Sequence, residues 1–257
     1  MTSTSLTAWL LAGFAASLLD YSFAAGFGLI ASLVLSGILG YDPRSVAGAA
    51  ALAQLFSALP VLAMHHKLGN ISARTNKARR VLGLFAFSAL LAALGFSIIA
   101  TGLPKSIIIF LYSVLLLVLA LILYKASLDA EDPPTRSSYW VAVLYGTLAG
   151  AYKALIGGGY SALVVLAQRR LGLDLRSAIA IMPLVKLPAF TMVALIYILS
   201  GHLDPRAALM LTLGALVATP IAAHMLHKTR TTLTSRILAI TIALVALAKV
   251  TQVTLRP

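Results

Sequence analysis

The chain has 257 residues, of which 60% are hydrophobic and only 11% charged, and its 20 Lys+Arg against 7 Asp+Glu leave a net charge of +13. Ordinary globular domains carry about 45–50% apolar and about 25% charged residues, so a mean hydropathy of +0.97 excludes a soluble domain. The apolar runs are continuous rather than alternating, which excludes an outer-membrane barrel and leaves an all-α polytopic protein in a lipid bilayer, multi-pass in the cell membrane.

From the N-terminus, the first apolar stretch runs over 6–39, too long for one helix across the roughly 30 Å core. It is interrupted by Asp20-Tyr21 and then by Gly26-Phe27-Gly28, so it predicts two short helices or one span with a re-entrant piece. No Lys or Arg precedes Arg44, so the start does not read as a cleaved signal peptide. Three clear spans follow, at 46–66, 81–100 and 106–124. After a hydrophilic linker at 129–134 the same order returns: a long stretch over 138–171 broken by Lys153 and Gly157-Gly158-Gly159, then spans at 177–200, 207–226 and 236–253. Tyr139-Trp140 reads as an interfacial anchor, and Pro60, Pro183, Pro188 and Pro220 as kinks inside spans.

The two series are related by a shift of 132 residues: Leu39-Gly40-Tyr41-Asp42-Pro43-Arg44-Ser45 matches Leu171-Gly172-Leu173-Asp174-Leu175-Arg176-Ser177. The same shift pairs Gly69-Asn70-Ile71 with Gly201-His202-Leu203. This predicts two homologous halves, 1–128 and 129–257, a common basis of secondary transporters with the substrate site at their interface. If the basic loop 67–80 is cytoplasmic and each long stretch crosses twice, the Lys+Arg count is 13 inside to 5 outside; single crossings give 10 to 8. The positive-inside bias favours the first, with five crossings per half, inverted halves and both termini outside. The basic residues are thereby absorbed by loops and call for no nucleic acid.

Six of the seven acids lie in loops; Asp20 alone is embedded in apolar sequence, where an ionisable group costs about 2.5–3.5 kcal/mol. It is either a hydrophilic turn or a protonatable, cation-pairing group in a cavity. The repeat sets Asp20 opposite Tyr152 and Tyr21 opposite Lys153. Lys186 lies mid-span between two prolines, with Gln54 as its counterpart. Such lysines either pair with Asp20 or a backbone carbonyl, or supply counter-charge for an anionic substrate. Glycines let a ligand approach the backbone, and the N–H groups of the following helix favour anions. The alternative for Gly157-Gly158-Gly159 and for Gly26 and Gly28 is close packing of small residues. The five histidines form no metal-ligand set, and no cysteine is present, so no metal or other cofactor is expected.

At these residues the sequence resembles the TauE/SafE family of sulfite and organosulfonate exporters, also called TSUP. The likeness rests on Ile156-Gly157-Gly158-Gly159, the loop Leu171-Gly172-Leu173-Asp174-Leu175-Arg176-Ser177-Ala178 and the turn Gly201-His202-Leu203-Asp204. The resemblance implies an integral membrane transporter of anions such as sulfite or sulfoacetate. The expectation is a secondary transporter of small anions (sulfite, sulfonate or carboxylate), with an anion channel as the alternative, and with a homo-oligomer as one possible assembly. An intramembrane enzyme is disfavoured, since no Ser/His/Asp set falls at membrane depth. Lys153 and Lys186 would attract the anion, and Gly26, Gly28, Gly157, Gly158 and Gly159 would offer backbone N–H groups. Gln54, Tyr152 and Ser161 would hydrogen-bond it, and Asp20 would couple transport to a proton.

Overall fold

A computed structural model describes residues 3–72, 75–104, 107, 108, 110, 111, 114, 118, 139–170 and 173–229. The linker at 129–134, the span at 236–253 and nearly all of the span at 106–124 lie outside the described residues. Among the described residues every element is helical. In chain order they are α1 (Ser3–Phe23), α2 (Phe27–Ser32) continued by a π-helical turn (Leu33–Ile38), α3 (Pro43–Lys67), α4 (Thr75–Gly102), α5 (Tyr139–Ile156), α6 (Tyr160–Arg170), α7 (Leu175–Leu199) and α8 (Pro205–Lys228). Among the described residues five stretches are long and apolar enough to cross a membrane: Leu6–Phe23, Pro43–Lys67, Arg80–Gly102, Leu175–Leu199 and Pro205–Lys228.

Among the described residues the loop acids stand at helix starts. Asp174 accepts the Ser177 N–H at 2.9 Å and begins α7, while Asp204 accepts the N–H groups of Arg206 and Ala207 at 2.8 and 3.2 Å and begins α8. Each satisfies orphan donors of a first turn. Pro43 and Pro205 occupy the first turns of α3 and α8, where a missing N–H costs nothing. Inside α8, Pro220 cannot donate to the Leu216 carbonyl, and the Thr219 hydroxyl takes its place at 2.8 Å.

Two intimate helix pairs flank the middle: α1 packs on α8, and α4 on α5. Small residues permit it. A Cβ on Gly13 would strike the Leu211 carbonyl, one on Gly214 the Leu10 carbonyl, and one on Gly150 the Ala89 carbonyl. The Ser17 and Ser22 hydroxyls then donate across to the carbonyls of Ala215 (3.0 Å) and Ala222 (3.2 Å).

Between these pairs, α3 and α7 cross. Each has 25 residues, and both ends of α7 lie 132 residues after those of α3. They run antiparallel: Gly48 abuts Tyr197 near one end, and Gln54 meets Lys186 in the middle. At the opposite end Ser177, at the start of α7, accepts the Ser72 N–H at 2.9 Å, just beyond α3. The buried Asn70 amide there donates to the Ala223 carbonyl (3.2 Å) and to Nδ1 of His65 (3.1 Å), and its Oδ1 contacts Nδ1 of His227 at 3.2 Å. The end of α3, the start of α7 and the end of α8 therefore share one face. Lys67, Arg176 and Lys228 gather there, whereas Arg44, which donates to the Thr101 carbonyl, lies at the other. Apolar side chains such as Phe56, Phe87, Leu199 and Val217 are exposed on the outside, as a lipid-facing surface requires.

Candidate functional site

Both long apolar stretches are broken next to a buried charge. α1 ends at Phe23 and α2 begins at Phe27; the joint holds Ala24 at φ 55 and Gly26 at φ 89. Non-glycine residues adopt such a φ rarely, and the joint is tied down by Asp20, whose Oδ1 accepts the Gly26 N–H at 3.0 Å. α5 ends at Ile156 and α6 begins at Tyr160, with Gly157 at φ 74 and Gly159 at φ 82. Here Lys153 holds the turn, its ammonium donating to the Gly157 carbonyl at 3.0 Å. An acid binds an N–H on one side and a base binds a C=O on the other.

The two joints touch. A Cβ on Gly28 would fall on the Gly157 carbonyl, and one on Gly158 would fall on the Leu29 backbone nitrogen. Between them and the middles of α3 and α7 lies a cleft with about 140 Å³ of empty volume, none of it wide enough for a water molecule.

Of the sequence-predicted residues, Gly26, Gly28, Gln54, Lys153, Gly157, Gly158, Gly159 and Ser161 line the cleft. Lys186 and Asp20 stand behind it, each linked to the wall: the Lys186 ammonium donates to Gln54 Oε1 at 3.3 Å, and Asp20 holds Gly26. Tyr152 is buried but is not part of the lining. Of the two partners open to the buried lysines, Lys186 takes the carboxylate of Asp20, 2.5 Å away and 166 residues earlier in sequence, and Lys153 takes a backbone carbonyl. The reason is reach: Lys186 projects from the middle of α7 to the α1 joint, while Lys153 is turned back onto its own joint.

Lys153, Lys186 and Asp20 are 0%, 1% and 0% exposed. Asp20 neutralises Lys186 directly. Lys153 sits 4.3 Å from the centre of the Phe190 ring, whose π face attracts a cation without cancelling its charge. Lys186 reaches the same ring at 5.8 Å and the Tyr21 ring at 5.3 Å. Tyr21 in turn hydrogen-bonds Ser57 at 2.8 Å.

Phe27, Tyr160 and Phe190 complete the lining and are the residues the sequence reading missed as contacts. Phe190 follows Lys186 by four residues, the spacing that puts two side chains on one helix face. That was the available signal. Tyr160 is fixed by its hydroxyl, which donates to the Val185 carbonyl at 3.1 Å, and by an edge contact with Phe190 at 5.0 Å.

Residues 9–248 match the family described as sulfite exporter TauE/SafE. The chain belongs to this family. Members are anion transporters, so this TauE/SafE chain is a transmembrane transport protein whose substrate is a small anion. No curated protein and no solved structure matches it.

Proposed function

We propose that this protein is a proton-coupled secondary transporter of small sulfur oxyanions in the cell membrane, working by alternating access between two inverted halves, 1–128 and 129–257. The observation that carries the reading is the bond between Gln54 and Lys186, residues 132 apart in sequence. They are the twelfth residues of α3 and α7, counted from Pro43 and Leu175, and α3 and α7 cross antiparallel. A residue that touches its own repeat counterpart sits on the axis relating the halves, and antiparallel counterparts belong to repeats inverted across the bilayer. The packing of α1 on α8 and of α5 on α4 follows the same exchange.

The cleft beside this axis supplies what an oxyanion requires: the Lys153 ammonium, the Gln54 amide, the Ser161 hydroxyl and glycine backbone too close for any side chain. Its width, too small for a water molecule, supports gated access, because an anion enters only when the joints part. Asp20 is the coupling group in this reading, since an anion that draws Lys186 away leaves the carboxylate to take up a proton.

The test is uptake of sulfite by proteoliposomes, with and without an inward proton gradient. Saturable uptake that accumulates under the gradient is expected. Asp20→Asn should retain exchange of sulfite and lose that accumulation. Continued accumulation in Asp20→Asn would remove Asp20 from the coupling, and non-saturating flux indifferent to the gradient would identify a channel instead.

A further inference from the structure

Two short helical segments lead away from the cleft, and each carries a buried polar group without a partner. On α6 it is Gln168, 0% exposed, with neither Oε1 nor Nε2 hydrogen-bonded among the described residues. In the π-helical turn after α2 it is Ser36, whose buried Oγ is likewise unpaired among them. The two are repeat counterparts, 132 residues apart. Leaving a buried amide or hydroxyl unpaired costs stability, and an apolar side chain of the same shape avoids that cost. The same unfavourable choice at equivalent positions of both halves is explained by a ligand rather than by packing.

The placement of both residues says which ligand. Ser161 lines the cleft, and Gln168 follows it by seven residues, close to two helical turns. Both therefore lie on one stripe of α6, about 10 Å apart along its axis. Beyond Gln168, α6 ends in Arg169 and Arg170, and the chain turns into Arg176 at the start of α7; the Leu173 N–H closes this turn on the Gln168 carbonyl at 3.2 Å. Arginines keep their charge and draw anions to that end. In the other half Ser36 lies eight residues after Gly28, and the chain runs on to Arg44 at the opposite face. π-helical turns also recur at functional sites.

We propose that Gln168 and Ser36 are transit sites for the oxyanion, Gln168 on the cytoplasmic side of the cleft and Ser36 on the outer side. When the joints part, an anion passes between the Ser161 hydroxyl and the Gln168 amide, whose Nε2 donates to an anion oxygen while Oε1 accepts from a water travelling with it. The Ser36 hydroxyl donates in the same way at the other exit. Only hydrogen bonds are exchanged, and neither side chain titrates. This rests on the transporter reading above and adds a route to it.

The test compares wild type, Gln168→Met, Gln168→Asn and Ser36→Ala in three measurements: sulfite uptake by proteoliposomes below saturation, melting in detergent, and sulfite binding by calorimetry. Met fills the space of Gln without its hydrogen bonds, whereas Asn keeps the amide and leaves a small void. A packing role makes Met the better replacement throughout. A transit role reverses the order for uptake alone. Gln168→Met should melt no lower than wild type and bind sulfite with the same Kd, yet transport it roughly tenfold or more slowly, the loss of one hydrogen bond to a charged group. Gln168→Asn should melt lower than Gln168→Met and transport faster. Ser36→Ala should keep its stability and slow uptake. The cytoplasmic site is overturned if Gln168→Met transports at the wild-type rate, or if it loses stability and transport together, since the amide then serves the fold. Wild-type uptake by Ser36→Ala overturns the outer site. Should the wild type itself take up no sulfite, the transporter reading fails and the transit sites fail with it.

Discussion

Lys153 and Lys186 are indistinguishable as buried lysines in an apolar chain, but their partners make them opposite cases. Lys153 lines the cleft and is paired to a carbonyl and a ring. Lys153→Ala should therefore weaken sulfite binding by about 1.5–3 kcal/mol, roughly 10- to 150-fold in Kd, with the folded protein retained. Lys186→Ala deprives Asp20 of its only ion-pair partner among the described residues. Breaking a buried pair from one side costs about 3–5 kcal/mol, so that variant should first show a loss of thermal stability in detergent. Equal stability of the two variants would mean that the Asp20–Lys186 pair is not held in the functional protein. Asp20 was conspicuous in the sequence because a lone acid in apolar surroundings is costly. Its partner was not, because repeat arithmetic relates equivalent positions and does not say which side chains reach one another.

At the scale of elements, the helix joints depend on glycine for two separate reasons. Gly157 and Gly159 take positive φ, which ends α5 and re-aims the chain into α6. Gly28 and Gly158 are where one joint's backbone meets the other's, and no side chain fits there. Overpacking of this kind costs about 1–3 kcal/mol, and here it forces the joints apart. Gly28→Ala and Gly158→Ala should each abolish sulfite transport. Gly83→Ala, in open space on α4, should leave transport unchanged and raise stability by up to about 1 kcal/mol through helix propensity. If Gly158→Ala transports at the wild-type rate, contact between the joints is not part of the cycle. The recurrence of glycine beside a buried charge was readable in the sequence; that the two segments press on each other was not, since they are about 130 residues apart.

For the whole molecule, the packing makes a definite statement about sides. The end of α3 shares a face with the start of α7 and the end of α8, while Arg44 lies at the far end. Single cysteines are informative because the chain has none of its own. Cysteines replacing Arg44 and Arg206 should react with an impermeant maleimide from outside. Those replacing Arg74, Arg170 and Arg230 should react only from the cytoplasm. Labelling of positions 74 and 170 from opposite sides would sink both the double crossing of the long stretches and the inversion of the halves.

Class, family and most span boundaries could be read from the chain alone, because they depend on properties that act locally: continuous apolar length, the placement of charge in loops, and glycine-rich breaks. The spans read at 46–66, 81–100, 177–200 and 207–226 lie within α3, α4, α7 and α8 to within a residue. The pairing of Asp20 with Lys186, the aromatic ring shared by two lysines and the narrow cleft beside the joints came only with the folded chain. Each depends on contacts between segments far apart in sequence, and no local pattern records which buried charge another will find.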